Sequence, residues 1–121
     1  MAEKVLVNLA TGLEDSERVT VAFLVGGAAL QKGKKVAMFL TKEAVRLALP
    51  GHALGVACDG CPPIDRLFQQ FADGGGELLV CPICFDARKL RKDDLPDHAT
   101  IAGATPMLEW IGDDDALVFS Y

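Results

Sequence analysis

An α/β domain, with a mainly parallel sheet and helices on both of its faces, is the fold class this sequence predicts, on three observations. Short β-rich runs alternate along the chain with segments whose apolar residues recur at helical spacing. Such alternation implies right-handed crossovers between parallel strands. The runs KVLVNL, KVAMFL and ELLV are apolar almost throughout, as strands covered on both faces are. Finally, 121 residues, 50% hydrophobic and 24% charged, suit one domain spanning residues 1–121 that buries a sizeable core without needing disulfides.

The elements follow in order. Lys4 to Leu9 is the first strand, broken by Thr11-Gly12. Asp15 or Ser16 can cap a helix whose apolar positions Val19, Ala22, Phe23, Gly26, Ala29 and Leu30 share one face, and Gly33 stops it. Lys35 to Leu40 is the second strand, and a short helix from Lys42 to Leu49 ends at Pro50-Gly51. The segment from Gly51 to Cys61 is a loop of small residues. Pro62-Pro63 opens a further helix with Ile64, Leu67, Phe68 and Phe71 on its apolar face, and Gly74-Gly75-Gly76 ends it. Glu77 to Val80 is the third strand and leads into Cys81. A short helix over Asp86 to Arg91, a fourth strand over Ala99 to Ala102, a helix from Thr105 to Trp110 with Pro106 at its first position, and a fifth strand over Ala116 to Phe119 complete the chain. Ligands of open parallel sheets sit beyond the carboxyl ends of the strands, so Asn8 to Thr11, Thr41 and Cys81 are expected on one rim.

A net charge of −5 argues against nucleic-acid binding, which relies on dense Lys and Arg. The one basic cluster, Arg88, Lys89, Arg91 and Lys92, runs straight into Asp93 and Asp94 and reads as a solvated face. The apolar run from Val19 to Leu30 is too short to span a bilayer, and no signal sequence opens the chain, so no membrane partner and a cytoplasmic location are expected. In that reducing compartment reactive or metal-bound thiols are commoner than structural disulfides.

The four cysteines form two C-x2-C pairs, Cys58-Asp-Gly-Cys61 and Cys81-Pro-Ile-Cys84, separated by 19 residues. As a pattern this is a four-thiolate zinc motif, and zinc on Cys58, Cys61, Cys81 and Cys84, in a noncatalytic oligomeric binding or scaffold protein, is the alternative reading. Its context differs from a zinc ribbon, because an amphipathic helix fills the interval and the second pair follows a buried strand. The leading reading is thiol chemistry at Cys81, with no cofactor required. Backbone N–H groups at a helix N-terminus stabilise negative charge, and the thiolate is the reactive form of a cysteine. The amides of Ile83 to Phe85 would supply that stabilisation, Arg88 would add positive potential if its side chain folds back, and Cys84 could resolve an oxidised or persulfidated Cys81.

The opening KVLVNLATGLEDSERVTVAFLVGGAALQKGKKVAMFLTKEAV, the segment PPIDRLFQQFADGGGELLVCPICFDAR and the ending TIAGATPMLEWIGDDDALVFS together resemble the DsrE/DsrF-like sulfur-relay family over nearly the whole chain. The resemblance implies a three-layer, five-stranded sheet with flavodoxin-like layering, assembled as a homotrimer or homohexamer. It also implies that Cys81, the cysteine after the third strand, carries sulfane sulfur as a persulfide. The implied activity is sulfurtransferase-like, and the implied partners are sulfur donor and acceptor proteins or small thiols. The Cys58-Asp-Gly-Cys61 insertion departs from the family pattern and leaves a metal-binding or disulfide-forming branch open.

Among the remaining residues, His98 reads as a surface or strand-end residue rather than a catalytic one, and His52 as a loop residue, with a zinc-ligand or base role, from its nearness to Cys58, the lesser alternative. No Ser-His-Asp order suggests a hydrolase. Gly26-Gly27 inside a helix is costly and implies close packing against the sheet or another subunit. Gly74-Gly75-Gly76 precedes a strand rather than a helix, so it reads as a flexible connector rather than a phosphate cradle. Met107 and Trp110 read as core or interface.

Overall fold

The computed structural model describes residues 3–121. Five strands, β1 (Lys4–Leu9), β2 (Lys35–Leu40), β3 (Glu77–Val80), β4 (Ala99–Ile101) and β5 (Ala116–Ser120), form one sheet in the order β4-β3-β2-β1-β5. Every neighbouring pair is parallel. The helices are α1 (Ser16–Gln31), α2 (Ile64–Asp73), α3 (Pro82–Ala87) and α4 (Ala104–Ile111). Three 3₁₀ segments, Leu13–Asp15, Lys42–Ala48 and Lys92–Asp94, lie between them.

Alternate strand residues divide the core in two, as the pleat requires. Val5, Val7 and Leu9 of β1, Val36, Met38 and Leu40 of β2, and Leu78 and Val80 of β3 pack with α1, α2, the Lys42–Ala48 segment and Phe85. Leu6, Ala37 and Leu79 point the other way, where Met107, Trp110 and Ile111 of α4 cover them with Phe39 and Ala102. The second layer is thin because, among the described residues, one eight-residue helix, returning the chain from β4 at one edge to β5 at the other, is all the helical cover it has. Lys4 ties that helix down: its ammonium donates to the Trp110 carbonyl, pairs with Asp114 at 2.9 Å and lies 5.2 Å from the Trp110 ring centroid.

Asp15 caps α1 by accepting from the Arg18 N–H at 3.1 Å. Gly26 belongs to that helix because α2 approaches it there: an added Cβ would lie 3.2 Å from the Phe71 ring, whereas at Gly27 it would meet nothing within 4 Å. The three-glycine run is a tight turn rather than a flexible connector. Gly75 has φ +92°, and a Cβ on Gly76 would sit 2.4 Å from the ring of the fully buried Phe71. His98 is more enclosed than a surface residue. Its ring lies 5.2 Å from that of Phe68, its Nε2 is buried without a partner, and burial holds its pKa below the ordinary value.

Other boundaries shift. The helix expected over Asp86 to Arg91 forms at once after Cys81, over Pro82–Ala87, because Pro82 is preorganised for the first helical position. Residues 42–48 wind as a 3₁₀ segment, entered through Lys42 in a left-handed conformation (φ 54°). Gly103 rather than Thr105 caps α4, which places Pro106 inside the first turn, where it still lacks no hydrogen bond. β5 is the least covered of the five strands. As an edge strand with α1 lying over β1 and β2, it leaves Leu117, Val118 and Phe119 between 39% and 54% exposed. No helix among the described residues is long and apolar enough to cross a membrane.

Candidate thiol site

The carboxyl ends of the strands form the expected rim. Thr41 N–H bonds the Leu9 carbonyl at 3.1 Å, Cys81 N–H that of Leu40 at 3.0 Å, and Ala102 N–H that of Val80 at 2.9 Å, so each strand hands its last ladder bond to the residue leaving its neighbour. Cys81 is therefore held by the main chain of β2 as well as by its own strand. It is the N-cap of α3, with φ −60° and ψ 121°, and its carbonyl accepts from Phe85 N–H at 3.0 Å. Gly103, just after β4, lies beside this turn, where an added Cβ would come 3.6 Å from the Pro82 ring.

Cys81 and Cys84 are free thiols, each half-buried against the main core, while Ile83 between them is 79% exposed. The amides expected to face Cys81 are fewer than the sequence suggested. Pro82 has no N–H and that of Phe85 is bound to the Cys81 carbonyl, which leaves Ile83 and Cys84 in the first turn of a six-residue helix.

Arg88 does not fold back toward Cys81 as a free charge. Its Nε–H donates to Glu43 of the Lys42–Ala48 segment, and its Nη1 donates to the Cys84 carbonyl at 3.1 Å. Glu43 also accepts from Arg46 Nε at 3.1 Å. The hydrogen bond from Arg88, followed by that from Arg46, holds the Glu43 carboxyl below its ordinary value. Gly12 supplies the room for this side chain, since a Cβ there would lie 2.8 Å from that of Glu43. A chain Arg46, Glu43, Arg88, Cys84 thus braces the thiol turn against the end of β2. Sequence reasoning missed Glu43, because no local pattern says that residues 43 and 88 meet; only the adjacency of β2 and β3 brings them together.

The second cysteine pair stands apart. Cys58 and Cys61 are joined by a disulfide, with Cα atoms 5.1 Å apart, on the loop before α2. The four cysteines do not converge, and among the described residues no group of three or more His, Cys, Asp and Glu side chains is arranged to hold a metal ion. His52 is exposed on the same loop; partial desolvation and the charge of Arg46 lower its pKa, and Glu43 opposes them.

An uncharacterized protein of Methanocaldococcus jannaschii, MJ0760, is 26% identical over 101 residues; the match takes in 84% of this chain but only 37% of that protein's length. Among solved structures, the YchN protein of Escherichia coli superposes with a TM-score of 0.79 at 20% identity, over 100% of both chains. Two proteins of unknown function have the same fold. BT1422 of Bacteroides thetaiotaomicron gives a TM-score of 0.68 at 12% identity over 98% of this chain and 95% of that one. MTH1491 of Methanobacterium thermoautotrophicum gives 0.64 at 9% over 95% and 97%. The family model of the DsrE/DsrF-like family matches residues 3–119, nearly everything from the first strand to the last, and the chain belongs to that family.

Proposed function

We propose that this is a small cytoplasmic sulfur-relay or thiol-redox protein in which Cys81 carries sulfane sulfur as a persulfide. Family membership supports the general sulfur or redox role. The observation that carries the finer reading is that a free, half-exposed Cys81 ends β3 on the rim and is pinned there by the Leu40 carbonyl.

In the forward step the Cys81 thiolate attacks the outer sulfur of a donor persulfide. A Cys81 S–S bond forms, the donor's S–S bond breaks, and the donor leaves as a thiolate. An acceptor thiolate then attacks the outer sulfur of Cys81, becomes the new persulfide and returns Cys81 as a thiolate. Cys84 offers a second exit: attack on the inner sulfur gives a Cys81–Cys84 disulfide and releases hydrosulfide. Arg88 is a positioning residue in this scheme, fixing the Cys84 carbonyl while Glu43 neutralises its charge. Donor and acceptor are proteins or small thiols, and Ile83 is the apolar tip a protein partner would meet first.

After incubation with a small-molecule persulfide, intact protein should gain mass in steps of about 32 Da, one sulfur atom per transfer. Cys81→Ser should abolish the gain, and the Cys58→Ser, Cys61→Ser double variant should keep it. Sulfur uptake that persists in Cys81→Ser would remove this reading.

A further inference from the structure

We infer that Cys58–Cys61 is a second, independent redox site, a reversible disulfide that exchanges with external dithiols, with Cys61 the sulfur attacked and Thr20 the partner of the departing Cys58.

The backbone holds the two cysteines together without help from the S–S bond. Cys61 N–H bonds the Cys58 carbonyl at 2.9 Å in a β-turn whose Gly60 takes φ +76°, a conformation open to glycine at little cost. The loop is also closed outside the cysteines, by Ile64 N–H on the Val56 carbonyl at 3.0 Å. A bridge between residues three apart, inside a turn and a loop already closed by main-chain bonds, constrains little of the unfolded chain and adds little to stability. The reduced pair stays preorganised for reclosure. Those are the properties of an exchanging disulfide rather than a staple.

The surroundings of the two sulfurs differ. Cys61 Sγ faces the outer side of the turn, 3.7 Å from the carbonyl of the exposed Asp59. Cys58 Sγ faces inward, 3.7 Å from Oγ1 of Thr20, a side chain only 3% exposed on α1. The single hydroxyl proton of Thr20 is already given to the Ser16 carbonyl at 2.8 Å. Its oxygen, with both acceptor lone pairs free of that bond, therefore lies next to a disulfide sulfur that has no proton to donate. Once Cys58 is a thiol, its S–H can donate to that oxygen, so this contact becomes a hydrogen bond only in the reduced form.

A thiolate of the external dithiol attacks Cys61 Sγ; a mixed disulfide forms, the Cys58–Cys61 bond breaks, and Cys58 leaves as a thiolate that takes up a proton beside Thr20. The second thiolate of the dithiol then attacks its own sulfur in the mixed disulfide and Cys61 departs. The dithiol is oxidised to a disulfide, its two electrons and two protons ending on Cys58 and Cys61. Neither step involves Cys81, so failure of sulfur loading and failure of this exchange are separate results.

The test is equilibration of the wild-type protein in graded ratios of reduced to oxidised dithiothreitol, with alkylation and peptide mapping of Cys58 and Cys61, and far-ultraviolet circular dichroism alongside. The expected result is one reversible two-electron transition with an unchanged spectrum. Thr20→Val should move the equilibrium toward the disulfide by roughly fivefold, the worth of one modest hydrogen bond, and Thr20→Ser should restore it. In single variants, Cys61 of Cys58→Ser should alkylate faster than Cys58 of Cys61→Ser. A reduced Cys-x-x-Cys peptide run in parallel distinguishes the source of the dithiol: faster exchange than with dithiothreitol indicates a protein, equal rates a small molecule. A bond that yields to neither reagent until the chain is unfolded would overturn the inference, as would a spectrum that collapses when the bond is reduced.

Discussion

Arg88 and Glu43, 45 positions apart in the chain, are paired across the sheet rim, and the same guanidinium holds the Cys84 carbonyl at 3.1 Å. Because Arg88 depresses the Glu43 pKa from its ordinary 4.5, the pair's contribution to stability is fully present above that value and is lost as pH falls through the lower folded one. Glu43→Gln should therefore lose stability at neutral pH and flatten the acid-side decline. The effect should be modest for so open a pair. Urea midpoints of the two proteins between roughly pH 5 and 3 should converge as the acid is approached; curves that stay parallel throughout would show that the pair contributes nothing.

His98 gives a second window. Burial lowers its pKa, so the folded state prefers the neutral ring; that preference is fully present above the ordinary value of 6.5 and fades as pH drops through the folded value. Its Nε2 is buried without a partner and its ring packs on Phe68. His98→Phe removes the orphaned atom and keeps the ring contact, so it should be neutral or mildly stabilising at pH 7 and should gain on wild type just below pH 6.5. A loss at every pH would mean that the imidazole is satisfied by something else.

Thiol labelling should separate the four cysteines. Without reductant only Cys81 and Cys84 are free to react. Cys81 precedes the first turn of α3 and Cys84 sits within it, so brief iodoacetamide treatment at mildly acid pH, read by mass spectrometry, should modify Cys81 first. Preferential labelling of Cys84 would shift the proposed carrier to that residue.

The strands, the rim and the place of Cys81 on it were legible because apolar runs ended by glycine, threonine or cysteine announce themselves locally. Pro82 carries a signal of its own: a proline directly after a strand-ending cysteine marks a first helical position, which puts the start of α3 at residue 82 rather than 86. Asp59-Gly60 between two cysteines is likewise a turn signature, and it brings Cys58 and Cys61 within bridging reach. Glu43 was out of reach for a different reason. Its role depends on the strand order, which periodicity does not encode. The exposure of β5 was hidden too, since an apolar edge strand and an apolar central strand read alike.

The glycines yield opposite predictions. Gly76→Ala would drive a methyl into the Phe71 ring, where neither a fully buried phenylalanine nor the start of β3 can move far, and should destabilise by about 1–3 kcal/mol. Gly27→Ala meets nothing within 4 Å in the middle of α1 and should stabilise by about 0.5–1 kcal/mol. Chemical denaturation of both variants checks the pair. Equal effects would mean that Gly27, too, is packed against something, and a second copy of the chain is the first place to look.

The last prediction concerns assembly. In this chain β5 ends the sheet with an open ladder edge and with Leu117, Val118 and Phe119 uncovered; the register sets Leu117 and Phe119 beside Val5 and Val7 on the α1 face and Val118 beside Leu6 on the other. Val21 and Leu24 of α1 are exposed as well, at 40% and 47%. Edge strands that stay single usually carry charges, a proline or a bulge against unwanted pairing, and β5 (Ala-Leu-Val-Phe-Ser) has none of the first two. A second copy of this chain is the proposed occupant, in the homotrimer or homohexamer that the family resemblance implies. Light scattering should find one of those two masses. A Leu117→Lys, Phe119→Lys double variant should fall to monomer while keeping its circular dichroism spectrum, because both side chains lie outside the buried core. A wild-type protein that is monomeric at micromolar concentration, or a variant that keeps the assembled mass, would place the interface elsewhere or remove it.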